Sequence, residues 1–373
     1  MKVLVLFIFS CAGITLTAQS GGIYISDAGN FNNPPWQILR VDDDGQNPTV
    51  FIDEFLNWPQ DILFLEDRNQ VLISNLGSGC INIHDALTGD FIQSFACGIS
   101  GPTRTKIGPD SLLYVLQWSG TGKVKRYDLN GNFVDDFTQT GVNQSIGLDW
   151  DIHGNLYVSS YNGDKVEQFD TAGVSQGNFV SSNLQGPTNI WFDTNGDLLV
   201  VDYDGTAVKR FDSTGAFVGN FITGIFHAEG VDSLPNGNIL LGNGSTNAVK
   251  MYQSDGTFIS DIVPSGTANL ITPNAVVFRD ETNISWAEPE VKFGFAVVVP
   301  QPERNQIRLL GDIQQKADSL SIHDMNGQVI LKMAYPESTN IVKFNSASNG
   351  TYFMTFELSN GNTTTESFTW VVE

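Results

Sequence analysis

The sequence predicts an all-β chain made of six copies of one short-stranded unit, followed by a small β-sandwich. Three observations carry this. A motif recurs about every 42 residues between residues 21 and 283. Each copy holds four apolar runs of strand length separated by Gly, Asn and Asp, with no sustained helical period. Past about residue 291 the repeat stops and a different alternating pattern takes over.

At the N-terminus, Met1 and Lys2 lead into the apolar run Val3 to Phe9, and Thr15 to Ala18 places small residues before Gln19. That is the pattern of a signal peptide over residues 1–18, cut after Ala18. Cys11 after Ile8-Phe9-Ser10 offers a rival lipobox, weakened by the bulk of Phe9. The run falls short of the roughly 18 apolar residues that a bilayer needs, and no later stretch reaches them, so no membrane span is expected. With 41 acidic against 19 basic residues the formal net charge is -22, which repels nucleic-acid phosphates and keeps the molecule soluble. A monomer with no nucleic-acid partner is expected.

The repeat reads Pro-x-x-(apolar)-x-x-Asp-x-x-Gly-Asn/Asp-Leu-x-Val, a polar loop, then Val-x-x-aromatic-Asp-x-x-Gly-x-Phe. Its second-half glycines fall at Gly45, Gly89, Gly131, Gly173, Gly215 and Gly256, spaced 44, 42, 42, 42 and 41. The Asp bonds turn N–H groups and the Gly supplies a positive φ. One four-stranded unit cannot bury both faces alone, so six packed radially give a six-bladed β-propeller over residues 19–283. Gly22 to Ile25 matches a second strand, whereas Pro273 to Phe278 supplies only a first. Joined in one blade, these pieces close the ring and leave no edge between the chain ends.

Copies such as Ser145-Ile146-Gly147-Leu148-Asp149-Trp150-Asp151-Ile152-His153-Gly154-Asn155-Leu156-Tyr157-Val158 resemble NHL repeats. The resemblance implies the propeller fold, which hosts lyases, lactonases and interaction modules alike. Beyond a connector at 284–294, residues 295–373 resemble the type A sorting domain of type IX secretion cargo. The residues are Pro300-Gln301-Pro302, Leu320-Ser321-Ile322-His323-Asp324-Met325-Asn326-Gly327 and Asn349-Gly350-Thr351-Tyr352. That implies an immunoglobulin-like sandwich, passage through the periplasm to the exterior or outer cell surface, and the type IX export machinery as a partner. Extracellular material is expected to begin near Gln19 and to lack much of the segment after Val291.

Two cysteines remain after processing, too few for a zinc cluster. Cys80 and Cys97 flank the hairpin turn Ala86 to Gly89 almost symmetrically, which predicts one cross-strand disulfide. Gly173-Val174-Ser175-Gln176-Gly177 matches a nucleophile elbow but falls on a hairpin turn of the repeat. Asp149-x-Asp151-x-His153-Gly154 has the start of a calcium loop, yet Ser160 stands where the closing Glu belongs. Both are read as turns.

Propeller first strands line the central channel. Aligning the copies gathers Asp61, Arg104, Asn189, Glu229 and Asn274 at one mouth, beside His227 and the loop aromatics Trp58, Trp118, Tyr161, Tyr203 and Phe226, with an insertion from Asn30 to Trp36. Polar groups among aromatics in a concave mouth suit a ligand site. The bland alternative is an ion network of Arg104 with Asp61 and Glu229. The expected function is a non-catalytic binding protein for an extracellular glycan or peptide, with no cofactor. The alternative follows gluconolactonase-like propellers, in which Asp61, Glu229 and Asn274 would hold calcium, although Arg104 beside them would repel it. A virginiamycin-lyase-like reaction would need a second histidine near His227.

Overall fold

The computed structural model describes residues 21–281, 297–301, 306–310, 317–334, 341–344, 349–358 and 363–370. The expected signal peptide, its cut site, Cys11 and the connector lie outside the described residues. The chain divides into two compact units between Ile284 and Ser285.

Described residues of the first unit form six four-stranded antiparallel sheets in a propeller-like arrangement. The second sheet runs through Pro59–Leu65, Gln70–Asn75, Cys80–Asp85 and Phe91–Cys97; the third to sixth begin at Pro102, Ser145, Pro187 and Ala228. The first sheet is composite. Pro273–Asp280 pairs with Gly21–Asp27, which is followed by Gln37–Asp42 and Thr49–Ile52.

Each sheet shares an apolar core with the next, because its two faces can be covered only by neighbours. Leu72, Ile81 and Phe95 of the second sheet meet Leu113, Val115 and Tyr127 of the third. The circuit closes where Leu240, Val249 and Val263 of the sixth pack on Ile23, Leu39 and Val41 of the first.

The repeated Asp-x-x-Gly turn does two things. Asp170 Oδ1 accepts the N–H groups of Ala172 and Val174 at 2.9 and 3.0 Å, and Asp212 treats Thr214 and Ala216 alike. The six glycines have φ between 73° and 87°, the left-handed region. They are also contact points between sheets. A Cβ at any of them would stand 1.9 to 2.4 Å from a carbonyl oxygen at the outer edge of the preceding sheet, as Gly173 would against Phe137. In the second sheet Cys80 and Cys97 face each other across the ladder and form a disulfide.

The second unit holds a three-stranded sheet (Val297–Gln301, Gln306–Leu310, Ile341–Lys343) and a four-stranded one (Val329–Ala334, Ala317–His323, Gly350–Leu358, Thr363–Trp370). Ile307, Leu309 and Val342 of the first share one core with Leu320, Ile322, Met354, Phe356 and Trp370 of the second.

Candidate functional site

The first strands of the six sheets neighbour one another around the circuit. Near its start each breaks register with its second strand, so that Gln60, Thr103-Arg104, Ile146-Gly147, Thr188-Asn189, Glu229-Gly230 and Asn274 are left out of the ladder. Such bulges re-aim side chains, and here they turn them toward the channel. The residue just before five of these strands is left-handed: Trp58, Gly101, Gln144, Gly186 and His227, with φ of 52°, 71°, 52°, 65° and 54°. Glycine takes this conformation freely, whereas Trp and His adopt it at a cost of about 1 kcal/mol. The second strand of the same sheet pins these loops. Asn75 Oδ1 accepts the N–H of Asn57 at 2.8 Å, and Asn243 Oδ1 that of Phe226 at 3.0 Å.

Trp58 and His227 thereby face a cup of about 510 Å³, shared with Phe31, Trp118, Tyr161 and Tyr203, and with Gln60, Thr188, Asp204, Glu229 and Asn274. The rings form a continuous arc. Trp118 and Tyr161 have centroids 5.8 Å apart, Tyr161 and Tyr203 5.8 Å, and Tyr203 stacks on His227 at 4.7 Å. Phe226 backs His227 at 3.9 Å but does not line the cup. Phe31 packs edge-on to Trp58 at 5.8 Å. Tyr161 donates to Asp204 Oδ2 at 2.7 Å, and His227 Nε2 lies 3.8 Å from Asp204 Oδ1.

Arg104 crosses the channel. Its Nη2 donates to Glu229 Oε1 at 2.9 Å and to the carbonyl of Asn274, and its Nε reaches Asn189 Oδ1 at 3.4 Å. A second cavity of about 340 Å³ is lined by Asp61, Arg104, Lys106, Asn189, Trp191 and Asp232 with their neighbours. Burial pushes Glu229 up to about 7, with Asp61 adding to the shift and Arg104 opposing it. Asp61 is also raised by burial, against the pull of Arg104 and of the bonds from Thr105.

The expected site is therefore divided. Trp58, Trp118, Tyr203, His227, Glu229 and Asn274 line the cup, whereas Asp61, Arg104 and Asn189 line the second cavity. The reason is the period-two alternation of a strand: Glu229 and Asn274 are second residues of their strands, and Asp61, Arg104 and Asn189 are third residues. Repeat spacing alone puts both sets at one level, and it carries no mark of Phe31, which lies in the Asn30 to Trp36 insertion, or of Asp204, next to Tyr203.

The donor set proposed for calcium does not fit a divalent cation. Asp61 faces the other cavity and accepts both the N–H and the hydroxyl of Thr105, at 2.6 and 2.8 Å, while Glu229 is held by a fixed guanidinium. Among the described residues no group of three His, Cys, Asp or Glu is placed to hold a metal. Asp151 spends its carboxylate on its own turn, accepting from His153, Asn155 and Tyr157. Ser175 begins an outer strand, where its hydroxyl accepts from Gly177 N–H at 3.2 Å.

Residues 297–370 match the secretion system C-terminal sorting domain. The chain carries a type IX sorting domain. Its product is thus directed to the cell exterior or surface through the export machinery. Among the described residues no helix is long and apolar enough to cross a membrane. No curated protein matches the sequence. Among solved structures, a chain of the nidogen/laminin complex is similar, with a TM-score of 0.57 at 14% identity over 69% of this chain and 98% of that one. A protein of unknown function from Bacteroides caccae gives 0.55 at 14% identity, covering 69% and 98%. At such identity the likeness shows the β-propeller-like fold alone.

Proposed function

We propose that this is an exported, non-catalytic binding protein whose cup takes an extracellular glycan or peptide. In this reading a six-bladed NHL-like propeller over 19–283 acts as a monomer. A signal peptide over 1–18 precedes it, and the connector 284–294 joins it to an immunoglobulin-like sorting sandwich over 295–373. The observation that carries the reading is the cup itself. Six ring-bearing side chains surround a concave space of about 510 Å³ with buried polar groups beneath them, and two of those rings, Trp58 and His227, stand in left-handed backbone where two sister loops have Gly. Backbone strain held at a concave, ring-lined surface is a mark of a functional position.

The test is a parallel screen of immobilised full-length protein and its Trp118→Ala and Thr194→Ala variants against glycan and peptide libraries. Ligands should be lost with Trp118→Ala and kept with Thr194→Ala, since Thr194 sits on the Asp193–Gly196 turn at the other end of the first strand. Ligands indifferent to Trp118, or chemical turnover of any of them, would sink the proposal.

A further inference from the structure

We propose that the cup takes the cationic side chain of a basic peptide segment, held between the rings and the carboxylate of Asp204. This rests on the reading of the cup as the ligand site and names the chemistry it selects. None of the residues lining the cup is Lys or Arg, and two are acidic. Rings line most of the cup, and an aromatic face within reach of a cation attracts it. Asp204 stands at the rim with its side chain 46% exposed, so its charge is available to an incoming partner.

A second, independent feature points the same way. Asn274 is 1% exposed and lines the cup; its amide N–H₂ is fixed on the carbonyl of Pro59 at 2.8 Å, and its Oδ1 meets no donor among the described residues. A buried acceptor without a donor is costly, and an ammonium or guanidinium supplies donors only. The nearby carboxylates also act on the tyrosines. Burial is the main cause that holds the Tyr203 and Tyr161 hydroxyls well above their ordinary range; Glu229 adds to it at Tyr203, and the hydrogen bond to Asp204 adds to it at Tyr161. An anionic ligand would meet the exposed Asp204 carboxylate unfavourably. A neutral sugar would stack on the rings without using it. The chain's net charge of -22 favours approach of a basic partner over longer range.

The experiment titrates the intrinsic fluorescence of the full chain, in which Trp58 and Trp118 report on the cup, with acetyl-Gly-Lys-Gly-amide, its Arg counterpart, its isosteric norleucine counterpart and tri-N-acetylglucosamine. A basic tripeptide should bind about tenfold more tightly than the norleucine one. Asp204→Asn, at an exposed position where folding is checked by thermal melting, should erase most of that difference, and added salt should weaken the basic peptide alone. Equal binding of the norleucine peptide, or binding of the trisaccharide in preference to both basic peptides, would overturn the choice of a cation while leaving the cup as a binding site. Silence from every probe overturns the cation as well. The cup reading falls with it only if the library screen also finds no ligand that depends on Trp118.

Discussion

Arg104 of the third sheet donates to Glu229 of the sixth at 2.9 Å across the channel, with side chains 5% and 10% exposed. The two partners are unequal. A buried carboxylate can escape its charge by taking a proton, whereas a guanidinium cannot. Removing the acid should therefore hurt more than removing the base. We expect Glu229→Leu to destabilise by about 3 to 5 kcal/mol, Arg104→Met by less, and the double variant to return close to wild type. Urea unfolding of the three variants decides this, and equal losses for the single variants would refute it. Glu229→Ala is for the same reason a poor probe of binding, because it strands Arg104.

The same pair gives stability a pH dependence. Glu229 is raised from 4.5 to about 7, so the folded chain holds this proton more tightly than the unfolded one. Its contribution is full below about pH 4.5 and is lost as pH rises through about 7, amounting to about 3 kcal/mol at most. Asp61, raised as well, acts in the same direction. Melting temperatures measured from pH 5 to 8 should fall less steeply for Glu229→Gln than for wild type; parallel curves would exclude the assignment.

Two glycines with nearly equal backbone angles separate turn strain from packing between sheets. Gly173 and Gly196 have φ of 73° and 83°, but an added Cβ would stand 1.9 Å from the Phe137 carbonyl oxygen at the first and meet nothing within 4 Å at the second. Gly196→Ala should cost about 1 to 2 kcal/mol from the left-handed conformation alone. Gly173→Ala should cost clearly more, since two sheets must part. Equal chemical-denaturation midpoints would show that the contact is unimportant.

Reducing the Cys80–Cys97 bridge, whose sequence separation is 17, should remove about 3 kcal/mol of stability by the chain-entropy argument. Thiol titration of the unfolded, unreduced protein should find neither cysteine reactive, and two reactive thiols would refute the bridge.

The sequence by itself determined what is local and repeated. The 42-residue spacing, the Asp-x-x-Gly turns and the split of one sheet between Gly21–Asp27 and Pro273–Asp280 are consequences of strand length and turn chemistry, which neighbouring residues dictate. The sorting-domain motifs were legible for the same reason, and so were the cup residues Trp58, Trp118, Tyr203 and His227, which lie in the loops where the copies diverge. What only the tertiary structure decided is the depth and partnership of the channel groups. Alternation turns second and third strand residues opposite ways, but which of the two faces the cup is set by the bulge at the strand start, which no residue type announces, so Asp61, Arg104 and Asn189 line the other cavity. That Arg104 reaches Glu229, 125 residues further along the chain, depends on the curvature of the ring. The turn glycines had a second role hidden for the same reason: their packing partner, a backbone carbonyl in the preceding sheet, has no side-chain identity and leaves no mark in a sequence.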